Sequence, residues 1–179
     1  MLLDAQDAIL FIVDVQTRLA AAMPDPDATI ARAAILLTAA EKLGVPIVVS
    51  EQYPQGLGHT DERLPLPAGA QVFAKTAFSA VRDHAILTHL EGLGRRQVVL
   101  CGMEAHVCVL QTAIDLAERG FRPAVAADAV ASRLPERRER GLARMAASGV
   151  AVVDSEMVVF EWLGGAGTPE FKELSRLIR

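Results

Sequence analysis

Short, unbroken apolar runs alternate along this chain with stretches whose apolar residues recur every three or four positions. Residues 8–13 are apolar throughout, the pattern of a strand covered on both faces. Similar runs fall at 45–50, 71–74, 98–101, 121–127 and 150–153. Pro46 lies near the start of its run, where a missing N–H is tolerated. Between the first two runs, Ile30, Ala33, Ala34, Leu37 and Ala40 mark one helical face, with Asp27 as the expected N-cap and Gly44 as the stop. Further helices are predicted over 81–93, ended by Gly92 and Gly94, and over 106–119, with Val109, Ala113, Leu116 and Ala117 on one side and Gly120 after it. Pro135 opens another that ends at Gly149, and Ser155 is placed to cap one running through Trp162. Thr168 followed by Pro169 is a helix start. The segment 168–179 is expected to be helical, with Phe171, Leu174, Leu177 and Ile178 packing on its own domain or on a neighbouring subunit.

This strand-and-helix rhythm predicts an α/β fold: a three-layer α/β/α arrangement around a six-stranded, mostly parallel sheet of order 3-2-1-4-5-6. All 179 residues are read as one domain, without internal repeat or low-complexity tract. No Gly-x-Gly-x-x-Gly follows the first strand, so a dinucleotide cofactor is not expected.

Composition narrows the partners. The chain is 51% hydrophobic, with a formal net charge of −4. It carries no basic block, and Arg137-Arg138-Glu139-Arg140 reads as a solvated helix face, so nucleic acid is not an expected partner. No apolar run approaches the roughly 20 residues of a membrane helix. The N-terminus lacks the basic start of a secretory signal. With two cysteines, a reducing, cytoplasmic setting is expected.

Three residues with chemical potential each follow a different strand. Asp14 ends the first, Lys75 follows the third, and Cys108 lies in the first turn after the fourth. Ligands of open α/β sheets bind at that edge. Singly, each has a plainer reading: a helix cap, a solvated cation, a buried inert thiol. Together they supply a nucleophile, a base and a cation. A helix N-terminus stabilises a thiolate and lowers a thiol pKa. Asp14 can take the thiol proton and return it to a leaving amine, Lys75 can hold the carboxylate ionised, and the turn 102–107 can aim N–H groups at a carbonyl oxygen. The long loop 51–69 offers Gln52, Tyr53 and His59 to a ligand.

Five motifs resemble the isochorismatase-like cysteine hydrolases: Phe11-Ile12-Val13-Asp14-Val15-Gln16, Ser50-Glu51-Gln52-Tyr53-Pro54, Lys75-Thr76-Ala77-Phe78-Ser79, Gly102-Met103-Glu104-Ala105-His106-Val107-Cys108-Val109 and Ala127-Asp128-Ala129-Val130-Ala131-Ser132-Arg133. The chain is most similar to the short isochorismatase-domain hydrolases of unknown substrate. The resemblance implies a catalytic triad of Asp14, Lys75 and Cys108. It also implies a non-proline cis peptide at Met103–Glu104, and an oxyanion hole from the backbone N–H groups of Glu104 and Cys108. The implied reaction is hydrolysis of a C–N bond in a small molecule through an acyl-thioester on Cys108. The expected substrate contacts are Gln16, Gln52, Tyr53, His59, Phe78 and His106. Homo-oligomerisation is implied as well. Nicotinamidases hold a metal with an Asp-x-His pair after strand two; the sequence there is Glu51-Gln52-Tyr53-Pro54, so no metal is expected. Two alternatives stay open: a non-catalytic small-molecule-binding or regulatory module of the same fold, and a thiol redox sensor using Cys108.

Overall fold

The computed structural model describes residues 1–178. Its centre is a six-stranded sheet of order β3-β2-β1-β4-β5-β6, with every neighbouring pair parallel. The strands are β1 (Ala8–Val13), β2 (Ile47–Gln52), β3 (Gln71–Lys75), β4 (Gln97–Met103), β5 (Arg122–Ala131) and β6 (Ala151–Val153). The helices are α1 (Thr17–Ala20), α2 (Pro26–Leu43), α3 (Pro54–Leu57), α4 (His84–Gly92), α5 (Leu110–Glu118), α6 (Pro135–Ala147), α7 (Ser155–Leu163) and α8 (Pro169–Leu174). A 3₁₀ turn, Ala80–Arg82, precedes α4, and a π-helical turn, Ala105–Val109, precedes α5.

Every residue of β1 and β4 is buried, which is why their sequences read as unbroken apolar runs. Side chains alternate between two cores. Leu10 and Ile12 meet Ile30, Leu36 and Leu37 of α2 and Val158 and Trp162 of α7 on one face. Ile9, Phe11 and Val13 meet Ile86 and Leu90 of α4 and Leu110, Ala113 and Leu116 of α5 on the other. Leu174 and Ile178 join the first core while Leu177 stays half-exposed, so the terminal segment packs on its own domain, with α8 against α2 and α7. Arg179, the last residue of that expected helix, lies outside the described residues.

Several boundaries differ from the sequence reading. Asp25, not Asp27, caps α2, accepting from the Ala28 N–H; Asp27 is already in the first turn. Asp154, not Ser155, caps α7, and the Ser155 hydroxyl and N–H donate to Asp128 instead. The expected helix 81–93 is broken at Asp83, which caps α4. Strand β5 runs four residues beyond its predicted end, because its partner β4 continues to Met103. It does so through a bulge: Leu100 pairs with Val125, but Gly102 pairs with Val130. Arg138 of α6 holds the bulge by donating to the Ala127 and Val130 carbonyls. Such a bulge re-aims the end of a strand.

Candidate active site

Asp14 follows β1 in a left-handed conformation, φ 53°, uncommon for a residue with a side chain. Its N–H donates to the Ser50 carbonyl at 3.0 Å. One carboxylate oxygen accepts from the Ser50 hydroxyl at 2.7 Å, and the other from the Lys75 ammonium at 2.7 Å. Both side chains of the Asp14–Lys75 pair are fully buried. The parallel register sets Lys75 beside Gln52, and its ammonium also donates to Gln52 Oε1 at 2.7 Å and to the Ala77 and Phe78 carbonyls at 3.2 and 3.3 Å. Burial pushes the Asp14 carboxyl above its ordinary range, while Lys75, Ser50 and Cys108 pull it back.

Cys108 lies in the π-helical turn beyond β4, 6% exposed, and is a free thiol. Its neighbours are Asp14 and Lys75. The expected lowering of its pKa is not what the structure shows. Burial pushes the thiol up to about 12, and the Asp14 carboxylate adds to that, while Lys75 opposes it. The resting group is therefore a thiol beside the Asp14 carboxyl. The helix-terminus argument weakens because Cys108 sits in a wide turn ahead of α5, enclosed by apolar side chains. Cys101, fully buried in β4, is likewise pushed up to about 12 by burial.

The turn that carries Cys108 starts at a cis peptide, Met103–Glu104. The Glu104 carbonyl accepts from the Val107 and Val109 N–H groups. Its buried side chain accepts from the Arg133 N–H and from Arg133 Nε at 2.9 Å. Burial would raise the Glu104 carboxyl, but Arg133 outweighs it and holds the group low.

The other expected ligand contacts divide into two groups. Gln16 is buried, and its amide bridges loop backbone, donating to the Gln52 and Gly58 carbonyls and accepting from the Gln52 N–H. Gln52 joins Lys75 to the Thr76 carbonyl. His59 projects into solvent and contacts Glu51 at 2.9 Å. The buried Glu51 also accepts from the Thr60 N–H and hydroxyl; these bonds overcome its desolvation and keep it ionised. Tyr53, at φ 39°, and Phe78 are each 55% exposed. His106 contacts the buried Ser132 hydroxyl at 2.9 Å. It also lines a cavity of about 420 Å³ with Arg82, Gln111, Asp115 and Arg144, whose walls do not include Cys108.

Sequence reasoning alone gives no roles to Ser50, Glu51, Ser132 or Arg133, which only the motif resemblance marks. Arg138, expected on a solvated helix face, is instead half-buried and bound to the β5 bulge.

A parallel α/β sheet of this order, with thiol, carboxylate and ammonium gathered at its carboxyl edge, defines the doubly wound α/β class with its site at the strand ends. Within that class the chain belongs to the isochorismatase domain family, whose model matches residues 8–157. It is 40% identical over 171 residues to isochorismatase domain-containing protein 1 of Salmo salar, covering 96% of this chain and 60% of that protein. The chain thus spans less than two thirds of the length of that relative. A Caenorhabditis elegans structure described as MAR1 ribonuclease superposes with a TM-score of 0.92 and 36% identity, covering 99% of this chain and 92% of that one. The YcaC gene product of Escherichia coli, described as an octameric hydrolase of unknown specificity, shares the fold with a TM-score of 0.89 and 22% identity, covering 99% and 89%. Among the described residues no helix is long and apolar enough to cross a membrane.

Proposed function

We propose that this protein is a cysteine hydrolase that cleaves a C–N bond in a small molecule. What carries the reading is the Asp14–Lys75 ion pair, buried completely beside a nearly buried thiol. A buried ion pair is weak as a stabilising device, because desolvation offsets its attraction. Its presence at a strand-end crevice fits chemistry better than packing.

In the proposed cycle Asp14 takes the Cys108 proton as sulfur attacks the carbonyl carbon. The carbonyl electron pair moves to oxygen, where the N–H groups of Glu104 and Cys108 receive it. Collapse of the tetrahedral intermediate expels the amine, which takes the proton from Asp14 and leaves an acyl-thioester. Water then attacks, giving Asp14 its proton; the C–S bond breaks, and the proton returns to sulfur with release of the acid. A carboxyl raised by burial is better matched to this exchange than an ordinary one. Lys75 holds Asp14 in place and favours its ionised form.

The narrow access to Cys108 and the net charge of −4 favour a small substrate over RNA, although one neighbour is described as a ribonuclease. The test is ammonia release from a panel of small amides, with single-stranded RNA run in parallel. Loss of turnover in Cys108→Ala, with the fold intact by circular dichroism, is expected. Undiminished hydrolysis by that variant would sink the reading, and RNA cleavage abolished by the same change would replace its substrate class. We also propose that residues 1–179 act as one domain, in the cytoplasm, where two free thiols stay reduced. A homo-oligomer is proposed too, as described for the YcaC protein; sedimentation as a monomer at micromolar concentration would refute it.

A further inference from the structure

The end of β5 grips the nucleophile turn on two sides. Ser132 and Arg133 are the first residues after that strand, and the last β5 residue, Ala131, pairs with Met103 at the end of β4. Beyond that pair, Arg133 binds the Glu104 carboxylate through both its backbone N–H and its guanidinium. Ser132 meets His106 Nδ1 at 2.9 Å. The two grips fall on alternate residues of the turn that leads into Cys108. A third surface presses from α6: a Cβ on Gly141 would stand 3.0 Å from the His106 Cα and 3.1 Å from the Ala105 carbonyl oxygen. The β5 bulge, held by Arg138, gives the strand the extra length that brings Ser132 and Arg133 to this position.

We propose that Ser132 and Arg133 are positioning residues for the nucleophile turn, and that Arg133 also screens the buried Glu104 charge from Cys108. The role in catalysis rests on the hydrolase reading above; the effect on the thiol does not. Arg133 donates to the Glu104 carboxylate, and Glu104 opens the turn that holds Cys108, where its charge works against the thiolate. With Arg133 in place the Glu104 charge is paired and held on one side of the turn. Without it an unpaired carboxylate remains in the turn that holds the atom that must become anionic, and the turn loses its grip on Glu104.

The measurement is the iodoacetamide alkylation rate of Cys108 at pH 8, read by mass spectrometry in four proteins: parent, Arg133→Gln, Glu104→Gln and the double variant. Arg133→Gln is expected to slow labelling by about threefold to tenfold, the size of a half to one unit change in thiol ionisation. Glu104→Gln is expected to speed it by a similar factor, since it removes a carboxylate that raises the thiol and leaves the Arg133 charge unpaired beside the same turn. The double variant, with an uncharged pair of similar shape, is expected to return within about twofold of the parent. A role confined to stability would not give opposite signs that cancel. No change in Arg133→Gln, or changes of the same sign in both single variants, would overturn the proposal. Should Arg133→Gln fail to fold, Glu104→Gln against the double variant decides: equal rates would overturn it. Alkylation needs the thiol but no turnover, so hydrolysis surviving in Cys108→Ala would remove the hydrolase reading and leave this result standing.

Discussion

A Cβ placed on Gly102 would lie 1.9 Å from the carbonyl oxygen of Val13. The two residues are register partners in the central strands β1 and β4, one residue before Asp14 and six before Cys108. The backbone at Gly102 also has φ 122°, which a side chain makes costly. The close approach therefore joins the strand that carries the carboxylate to the strand that leads to the thiol.

Gly102→Ala is expected to cost at least about 3 kcal/mol, because neither neighbour can yield without breaking the central pairing. Urea denaturation gives the number. A loss under about 1 kcal/mol would mean the strands separate more easily than this contact implies.

Lys75→Met leaves the Asp14 carboxyl buried without its counter-charge. The expected loss at pH 7.5 is about 3–5 kcal/mol, with hydrolysis abolished. Asp14 already has a folded pKa above its unfolded one, and this change raises it further. A group of that kind favours the folded state below its unfolded pKa and loses that contribution as pH rises. The deficit should therefore shrink when unfolding is repeated at pH 5. Adding Asp14→Asn should restore most of the stability and none of the activity; equal stability of Lys75→Met and the double variant would contradict the pairing.

Asp14→Asn separates thiol ionisation from turnover. The carboxylate raises the Cys108 pKa, so its removal should speed alkylation at pH 8 while hydrolysis falls at least about a hundredfold, the usual weight of general acid–base catalysis. Slower labelling in this variant would show that the carboxylate assists thiolate formation even without substrate.

Alkaline stability follows from both thiols. Cys101 and Cys108 are raised from 9.0 to about 12 in the folded protein. Between those values the unfolded thiols lose protons that the folded ones keep, so the unfolded state gains and stability falls as pH rises from 9 towards 12. Each thiol contributes a slope of up to about 1.4 kcal/mol per pH unit. Unfolding free energies at pH 9, 10 and 11 should show this decline. In Cys101→Ala the slope should be smaller, against a lower starting stability from the cavity left behind; an unchanged slope would place Cys101 outside the effect.

The local pattern of apolar and polar residues prescribes the sheet and the three groups at its edge. Residues 8–13 were legible to the residue because burial on both faces demands an apolar side chain at every position. Asp14 and Lys75 were legible because a polar residue at the end of such a run has few places to go other than the strand-end crevice, and Cys108 because it falls in the first turn after the fourth run. Local competition was harder to read: Asp25 and Asp27 are both able to cap α2, and only the chain path chooses. The state of the thiol was not legible, since it depends on enclosure and on a carboxylate 94 positions away in the chain. Nor were the grips of Arg133 on Glu104 and Ser132 on His106, or the bulge that delivers them. Those partners lie more than twenty residues apart. Patterns of burial are written locally, whereas the pairing of charges and the aim of a strand end exist only once the strands stand side by side.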